Sequence, residues 1–352
     1  MNTAEGASDN QPPLPLSLVL RYTTNMKSRS LQLSIFLTIL LTISACDPGG
    51  DWVEGECEEG ELDRPRYCDR TGDLVADRPP QQENWVDPDP LIFAYTPVED
   101  PAQYREVWDE FIEYLEEVSG RDVQFFAARS NAAQIEAMRA GRLHIAGFST
   151  GAVPLAVNCA GFVPMAMMAD GAQFGYEMEI ITHVDSGIES IEDLGKDHIF
   201  AFTSRTSNSG FKTPTVMLKE EFGMKAERNF QVEYSGGHDN SLIGVFQRDY
   251  DAAAVANEVT DRIMDRGDVP REKIRVLYTS ETFPTTAFGP VYNLHPDVTE
   301  AIEKAFFTFP WEGTTLAKEF SDSDRFKPIT YKNHWEMIRQ VDSVFEDGYS
   351  CR

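Results

Sequence analysis

The segment that most limits what this chain can fold into is IFAFTSRTSNSGFKTPTVM, residues 199–217. An apolar run, Ile199–Phe202, ends in a hydroxyl-rich loop, and Gly210 then opens a helix-forming stretch. That order delivers Ser207, Asn208 and Ser209 from the end of a strand to the start of a helix. Such a terminus has unpaired backbone N–H groups and the positive end of the helix dipole, so it can hold an anion. Pro214 fits the first turn, where a missing N–H costs little. Gly210 would let a ligand oxygen approach the backbone. Taken alone, the pattern also fits an ordinary N-cap at Ser207 or Ser209.

The same order recurs. Leu143–Phe148 reads as a strand followed by Ser149, Thr150 and Gly151 and a helix with Pro154 early in it. Leu91–Tyr95 leads into Thr96, Pro97 and a helical stretch from Pro101, and Phe230–Tyr234 leads through Ser235, Gly236, Gly237, His238 and Asp239 into a helix reaching Phe246. Four strand ends of this kind predict an open α/β sheet, in which ligands sit beyond the carboxyl ends of the strands. Two such crevices facing each other would clamp a small oxyanion.

Residues 91–345 number about 255, enough for one large domain or two lobes with separate cores. Strand and helix alternate from 91 to 158, and a strand at Glu179–His183 passes into a second alternating unit that ends with a strand at 274–278. After Thr285 a strand (Phe288–Tyr292) and helices near 297–308, 313–321 and 333–345 return to the first unit. The expected arrangement is α/β, with mainly parallel sheets. Lobe 1 is read as 91–182 plus 286–345 and lobe 2 as 183–285. Crossings near 180–187 and 281–288 would form the hinge.

The beginning of the chain has a different composition. From Met26, MKSRSLQLSIFLTILLTISAC places Lys27 and Arg29 before an apolar core of 13 residues, Leu31–Ile43. A stable transmembrane helix needs about 20 residues, so this core has the length of a signal-peptide h-region. Residues 1–45 are read as a signal peptide whose true start is Met26. Ile43-Ser44-Ala45-Cys46 resembles the lipobox of bacterial lipoproteins, which implies cleavage before Cys46 and a lipid on its sulfur. Residues 46–90 hold 14 acids against 4 bases and few large apolar residues, the composition of a disordered acidic tether. Cys57 and Cys68 are placed to form a small disulfide loop, which an exported compartment permits. Cys159, in an apolar run, reads as a buried hydrophobe, and Cys351 receives no role.

Acids number 58 against 31 Lys and Arg, a net charge of −27. Nucleic acid is excluded as a partner because phosphate backbones reward the opposite sign. Anion binding cannot draw on a global field here and must come from local N–H and hydroxyl donors. The six histidines (144, 183, 198, 238, 295, 334) are scattered without metal-ligand spacing, and no Gly-x-Ser-x-Gly elbow occurs. Neither a metal nor a cofactor is expected, and no catalytic residue is assigned.

From about 91 to 345 the chain resembles the phosphonate/phosphite/phosphate-binding proteins of bacterial ABC importers. The stretches that carry the resemblance are AGRLHIAGFSTGA, SIEDLGKDHIFAF, Ser207-Asn208-Ser209-Gly210-Phe211 with Pro214, and GGHDNSLIGVFQRDYDAAAV. It implies a two-lobed type II periplasmic-binding-protein fold that closes on a tetrahedral anion. The family's Ser-Thr-Ser anion loop falls on Ser207, Asn208 and Ser209, with asparagine as the departure. Its binding histidine falls on His238, and an acidic residue at a strand start falls on Asp251, where structural ion pairing is an equal alternative. Two family tyrosines correspond to Phe148 and Asn131. The carboxylate that pairs with a ligand amine corresponds to Thr285-Thr286, although Glu258 stands at another position associated with the amine.

The candidate ligand contacts are Tyr95, Ser149, Thr150, Ser207, Asn208, Ser209, His238 and Asp251. The expected function is an exported, lipid-anchored, monomeric binding protein on the periplasmic side of a membrane. It would deliver phosphate, phosphite or an alkylphosphonate to the permease of an ABC importer. Two other classes stay in view: a ligand-presenting sensor subunit for a membrane histidine kinase, and a periplasmic phosphoester hydrolase in which His238 and Asp251 imitate a base and its orienter.

Overall fold

Short apolar runs bounded by glycine and polar residues become the strands, and each longer amphipathic stretch between them folds back as a helix. The computed structural model describes residues 57, 60–63, 66–97, 101–170, 175–345 and 351. The signal segment and Cys46 lie outside the described residues, and among those described no helix is long and apolar enough to cross a membrane.

The first sheet is built from β1 (Leu91–Ala94), β2 (Val123–Phe125), β3 (Ile145–Phe148), β4 (Ala166–Ala169), β10 (Ala287–Pro290) and β11 (Arg325–Pro328), in the order β11-β4-β10-β3-β1-β2. Helices α1 (Pro101–Ser119), α2 (Asn131–Arg139) and α3 (Val153–Ala160) connect its early strands, and α7 (Pro296–Thr308) and α8 (Thr315–Glu319) its late ones. The second sheet holds β5 (Tyr176–His183), β6 (Ile199–Phe202), β7 (Gln231–Tyr234), β8 (Ala252–Ala256) and β9 (Ile274–Phe283), in the order β7-β6-β8-β5-β9. Its helices are α4 (Thr213–Glu220), preceded by a π-helical turn at Asn208–Lys212, then α5 (His238–Gln247) and α6 (Asn257–Asp265). Two short helices, α9 (Tyr331–His334) and α10 (Glu336–Asp342), follow β11.

Parallel pairing is confined to the βαβ parts: β1 with β2 and β3, and β6 with β7 and β8. The strands next to the crossings, β5, β9 and β10, pair antiparallel, as do β4 and β11, so both sheets are mixed. The reason is topological: a strand entering a sheet from the other lobe has no crossover helix to reverse its direction. Residue 182 is not a lobe boundary, because β5 belongs to the second sheet from Tyr176 onward. The first crossing therefore falls between Ala169 and Tyr176, and the return lies at Pro284–Thr286.

The core of the first lobe is aromatic. Trp108 and Phe111 of α1 meet Phe93, Phe288, Phe306 and Phe326, with centroid separations between 4.7 and 5.8 Å among most of these pairs. Truncating one such ring costs about 3–5 kcal/mol. Lobe 2 substitutes Phe200, Phe202 and Phe230 around the small residues of β8.

Residues 66–90, expected as part of a disordered tether, instead run along the first lobe. The Cys57–Cys68 disulfide is present, Asp69 accepts from the backbone N–H groups of Thr71, Gly72 and Leu74, and Tyr67 donates to the Cys159 carbonyl. Arg78 donates to the Leu294 carbonyl and to Thr299. A low apolar content is offset here by a cross-link and by side chains that cap backbone groups. The reading of Cys159 as a free hydrophobe is corrected too: it forms a disulfide with Cys351, 192 residues away. That pairing has no local signal in the sequence.

Candidate functional site

Strands deliver their carboxyl ends to one crevice between the lobes, where Ser149, Thr150, Tyr176, Ser207, Asn208, Ser209, His238, Ala256, Glu258, Val259 and Thr286 enclose a cavity of about 20 Å³. Ser149 and Thr150 follow β3, Ser207–Ser209 follow β6, His238 opens α5, and Glu258 and Val259 open α6. Six of the eight sequence-derived candidates are thus brought together. A cavity of that volume holds about one water, so the lobes must part further to admit a tetrahedral oxyanion.

The donors differ in what else they do. Ser207 Oγ accepts from Gly210 N (2.9 Å), so it is a true cap, yet its own proton is left to donate. Asn208 donates from Nδ2 to Tyr176 Oη (3.1 Å) and accepts from Thr213 at Oδ1 (2.9 Å). Its amide therefore braces the turn across the hinge strand. Thr150 Oγ1 donates to the Pro284 carbonyl (2.7 Å), which ties the β3 loop to the return crossing. Ser149 Oγ is buried with no hydrogen-bond partner among the described residues. A buried hydroxyl without a partner is costly, and it stands where the cavity offers one.

His238 Nδ1 accepts from Ala256 N (3.1 Å). In a neutral ring this places the proton on Nε2, making the opposite edge a donor. Burial raises the Tyr176 phenol above its ordinary value, so it stays neutral. Glu258 accepts from Thr285 Oγ1 at 3.2 Å. The return crossing has no acid of its own, but α6 supplies one beside it. Tyr176 and Glu258 also line a second, wider cleft of about 770 Å³, which Asp170, Glu177, Asp261, Asp322 and Arg262 line as well.

Two candidates lie elsewhere. Asp251 sits at the amino end of β8, where Oδ2 accepts from Ile199 N (2.7 Å). Ala256, at the cavity end, is five residues on, roughly 17 Å away along a strand. Its role is to cap the start of β6, the structural alternative. The ring of Tyr95 turns onto the sheet face covered by α1, 4.7 Å from Tyr104 and 5.2 Å from Trp108, and does not line the cavity. Gly210 also has another reason than ligand approach: a Cβ there would lie 1.9 Å from Thr203 Oγ1. Sequence reasoning missed Tyr176, Ala256 and Val259 as site residues, and left Glu258 and Thr286, which the resemblance placed at amine-associated positions, outside the candidate set. The run Ala252–Glu258 carries the same strand-to-helix signal as the other loops, whereas Tyr176 has none. Among the described residues no cluster of three or more His, Cys, Asp or Glu could hold a metal ion.

Two α/β lobes with polar strand ends meeting at a hinge are the architecture of the periplasmic-binding-protein-like fold. Residues 93–335 match the model of the ABC transporter, phosphonate, periplasmic substrate-binding protein family, and the chain belongs to that family. It is 25% identical over 270 residues to the phosphate-import protein PhnD of Mycolicibacterium smegmatis, covering 74% of this chain and 84% of that protein. It is 26% identical over 199 residues to the phosphonates-binding periplasmic protein of Escherichia coli, covering 55% and 58%. Among solved structures, the binding component of an ABC phosphonate transporter from Pseudomonas aeruginosa shares the fold with a TM-score of 0.66 at 21% identity, covering 72% of this chain and 86% of that one. PhnD1 of Prochlorococcus marinus, in complex with methylphosphonate, gives 0.65 at 15%, covering 72% and 97%. These relatives are transport proteins that bind a substrate.

Proposed function

We propose that this protein captures a small phosphorus oxyanion without an amine, namely phosphate, phosphite or methylphosphonate, and delivers it to an ABC importer permease. It would do so from the periplasmic side of a membrane, held there by a lipid on Cys46. The observation that supports the reading is the buried hydroxyl of Ser149, without a hydrogen-bond partner among the described residues, lining the same small cavity as the capped loop Ser207–Ser209. Ser149, Ser207, Ser209 and His238 Nε2 would supply side-chain donors, and the turn opened by Asn208 would supply backbone N–H groups. Donors to a charged oxygen contribute roughly 1.5–3 kcal/mol each, so a few suffice for micromolar binding at about −8 kcal/mol.

Glu258 sets the selectivity expected of such a site. A carboxylate in the wall repels a fully ionised oxyanion and accepts from a ligand that keeps one acidic proton. Its tie to Thr285 holds it beside that crossing. The ligands that the relatives are named for, phosphate and phosphonates, span this chemistry.

Isothermal titration against phosphate, phosphite, methylphosphonate, aminoethylphosphonate and sulfate tests the reading. The first three are expected to bind more tightly than aminoethylphosphonate. Tighter binding of the amine would instead make Glu258 its partner, and binding of none would sink the assignment. Membrane fractionation of Cys46→Ala tests the anchor, with release or loss of processing expected.

A further inference from the structure

We propose that Lys212 is the latch that holds the anion loop shut, and that Gly151 is glycine so that the loop can reach it. This rests on reading the cavity as an oxyanion site. Lys212 ends the π-helical turn that begins at Asn208, in the second lobe. Its Nζ donates to the Gly151 carbonyl of the first lobe at 2.7 Å and lies 2.8 Å from Asp342 Oδ1 on α10. The two side chains are only 12% and 6% exposed. Burial pulls the Lys212 ammonium below its ordinary pKa, while Asp342 opposes that shift.

Gly151 supplies the second half of the device. A Cβ built on it would lie 2.4 Å from the Thr206 carbonyl oxygen and 2.5 Å from Asn208 N. Both are backbone atoms across the cleft, so no rotamer change relieves the clash. The backbone of Gly151 shows no positive φ. Its requirement for glycine therefore comes from the closed approach of the lobes.

The segment carrying Asp342 is itself a strap across both loops. Trp335 Nε1 donates to the Thr150 carbonyl (2.9 Å), and the Phe345 ring lies 5.9 Å from that of Phe211 beside the anion loop. Beyond it, Cys351 is bonded to Cys159 at the end of α3. The strap is held to the first lobe through Trp335 and meets the second lobe through Asp342 and Phe345. Opening the cleft must break the Lys212 contacts to Gly151 and Asp342, both of them charge-assisted and largely shielded from water. Lys212 is a positioning residue: it sets where Asn208 and Ser209 stand without being among the residues that line the cavity.

Gly151→Ala, Lys212→Met and Lys212→Met/Asp342→Leu separate this role from ligand contact. Each is compared with wild type by titration with inorganic phosphate and by small-angle scattering with and without phosphate. G151A and K212M are expected to bind roughly tenfold or more weakly and to show a larger radius of gyration, with wild-type circular dichroism. The double variant removes both charges of the pair, so closing no longer buries the Asp342 carboxylate without Lys212, and it should recover part of the affinity that K212M loses. If wild type binds no phosphate, the ligand reading fails, and the radii of gyration without ligand still decide the latch. Wild-type radii in both single variants would overturn it. So would weakened binding in K212M with no recovery in the double variant, the pattern of a plain ligand contact.

Discussion

Ser149 and Ser207 bring the same hydroxyl to the same cavity but differ in what else that hydroxyl does. Ser207 caps the turn through Gly210 N, so Ser207→Ala should lose about 0.5–2 kcal/mol of stability with or without ligand. It should also lose a donor to a desolvated oxyanion, roughly tenfold or more in dissociation constant. Ser149 Oγ has no hydrogen-bond partner to lose among the described residues. Ser149→Ala should therefore keep or slightly raise stability while weakening phosphate binding by a similar factor. Thr314, whose Oγ1 accepts from Ala317 N at the start of α8 and donates to the Trp311 carbonyl, is the control that loses structural bonds away from the cavity. Urea unfolding and titration of the three variants give the two quantities separately. Wild-type affinity in S149A would remove that hydroxyl from the site.

β5 shows how an element can carry a titration that has nothing to do with the ligand. Along this strand burial alternates from Tyr176, so Glu177 and Glu179 share the less buried face, near Asp261 of α6. Desolvation first, then the two neighbouring carboxylates, push Glu179 up to about 7, against the opposing pull of Arg271. Arg271 is itself shared with Asp261 and Asp265. A carboxyl group raised in the folded state holds its proton after the unfolded chain has released it. Its contribution to stability accordingly falls as pH climbs from about 4.5 to about 7 and is flat above that. Glu179→Gln should flatten that part of the urea-midpoint profile, and an unchanged slope would reject the assignment. The strand itself was only half legible. Glu179–His183 reads as a strand from sequence, but its start at Tyr176 and its place in the second sheet come from pairing with β8 and β9. β4 and β11 were missed for the same reason, since Ala166–Ala169 and Arg325–Pro328 acquire strand character only from each other and from β10. The polar strand ends were legible because cap, loop and helix start are neighbours in the chain. Asp251 followed from family position alone, and the tie to Ile199 N that explains it spans 52 residues.

At the scale of the whole molecule the charge and the proposed cargo conflict. The chain carries a net charge of −27, and the wide cleft beside the cavity adds Asp170, Glu177, Glu258, Asp261 and Asp322 against Arg262. An approaching phosphate meets repulsion well before it meets a donor. The donors are hydroxyl, imidazole and amide groups within the cavity, whose action is short-ranged and little screened. Approach and final binding should therefore respond differently to salt. Repulsion between exposed charges reaches about 30 Å at 10 mM ionic strength and about 8 Å at 150 mM. Over that range the association rate constant of phosphate should rise, opposite to the fall seen when charges attract. The dissociation rate constant, set by the closed cavity, should change much less, so affinity should strengthen with salt chiefly through association. Stopped-flow mixing with phosphate, followed by the change in tryptophan fluorescence, measures both; Trp335 reports from the strap through its bond to the Thr150 carbonyl. An association rate that falls with added salt would mean that a local positive field outweighs the net charge at the mouth of the cleft. The donors of the cavity would then not be the whole of the anion-attracting machinery.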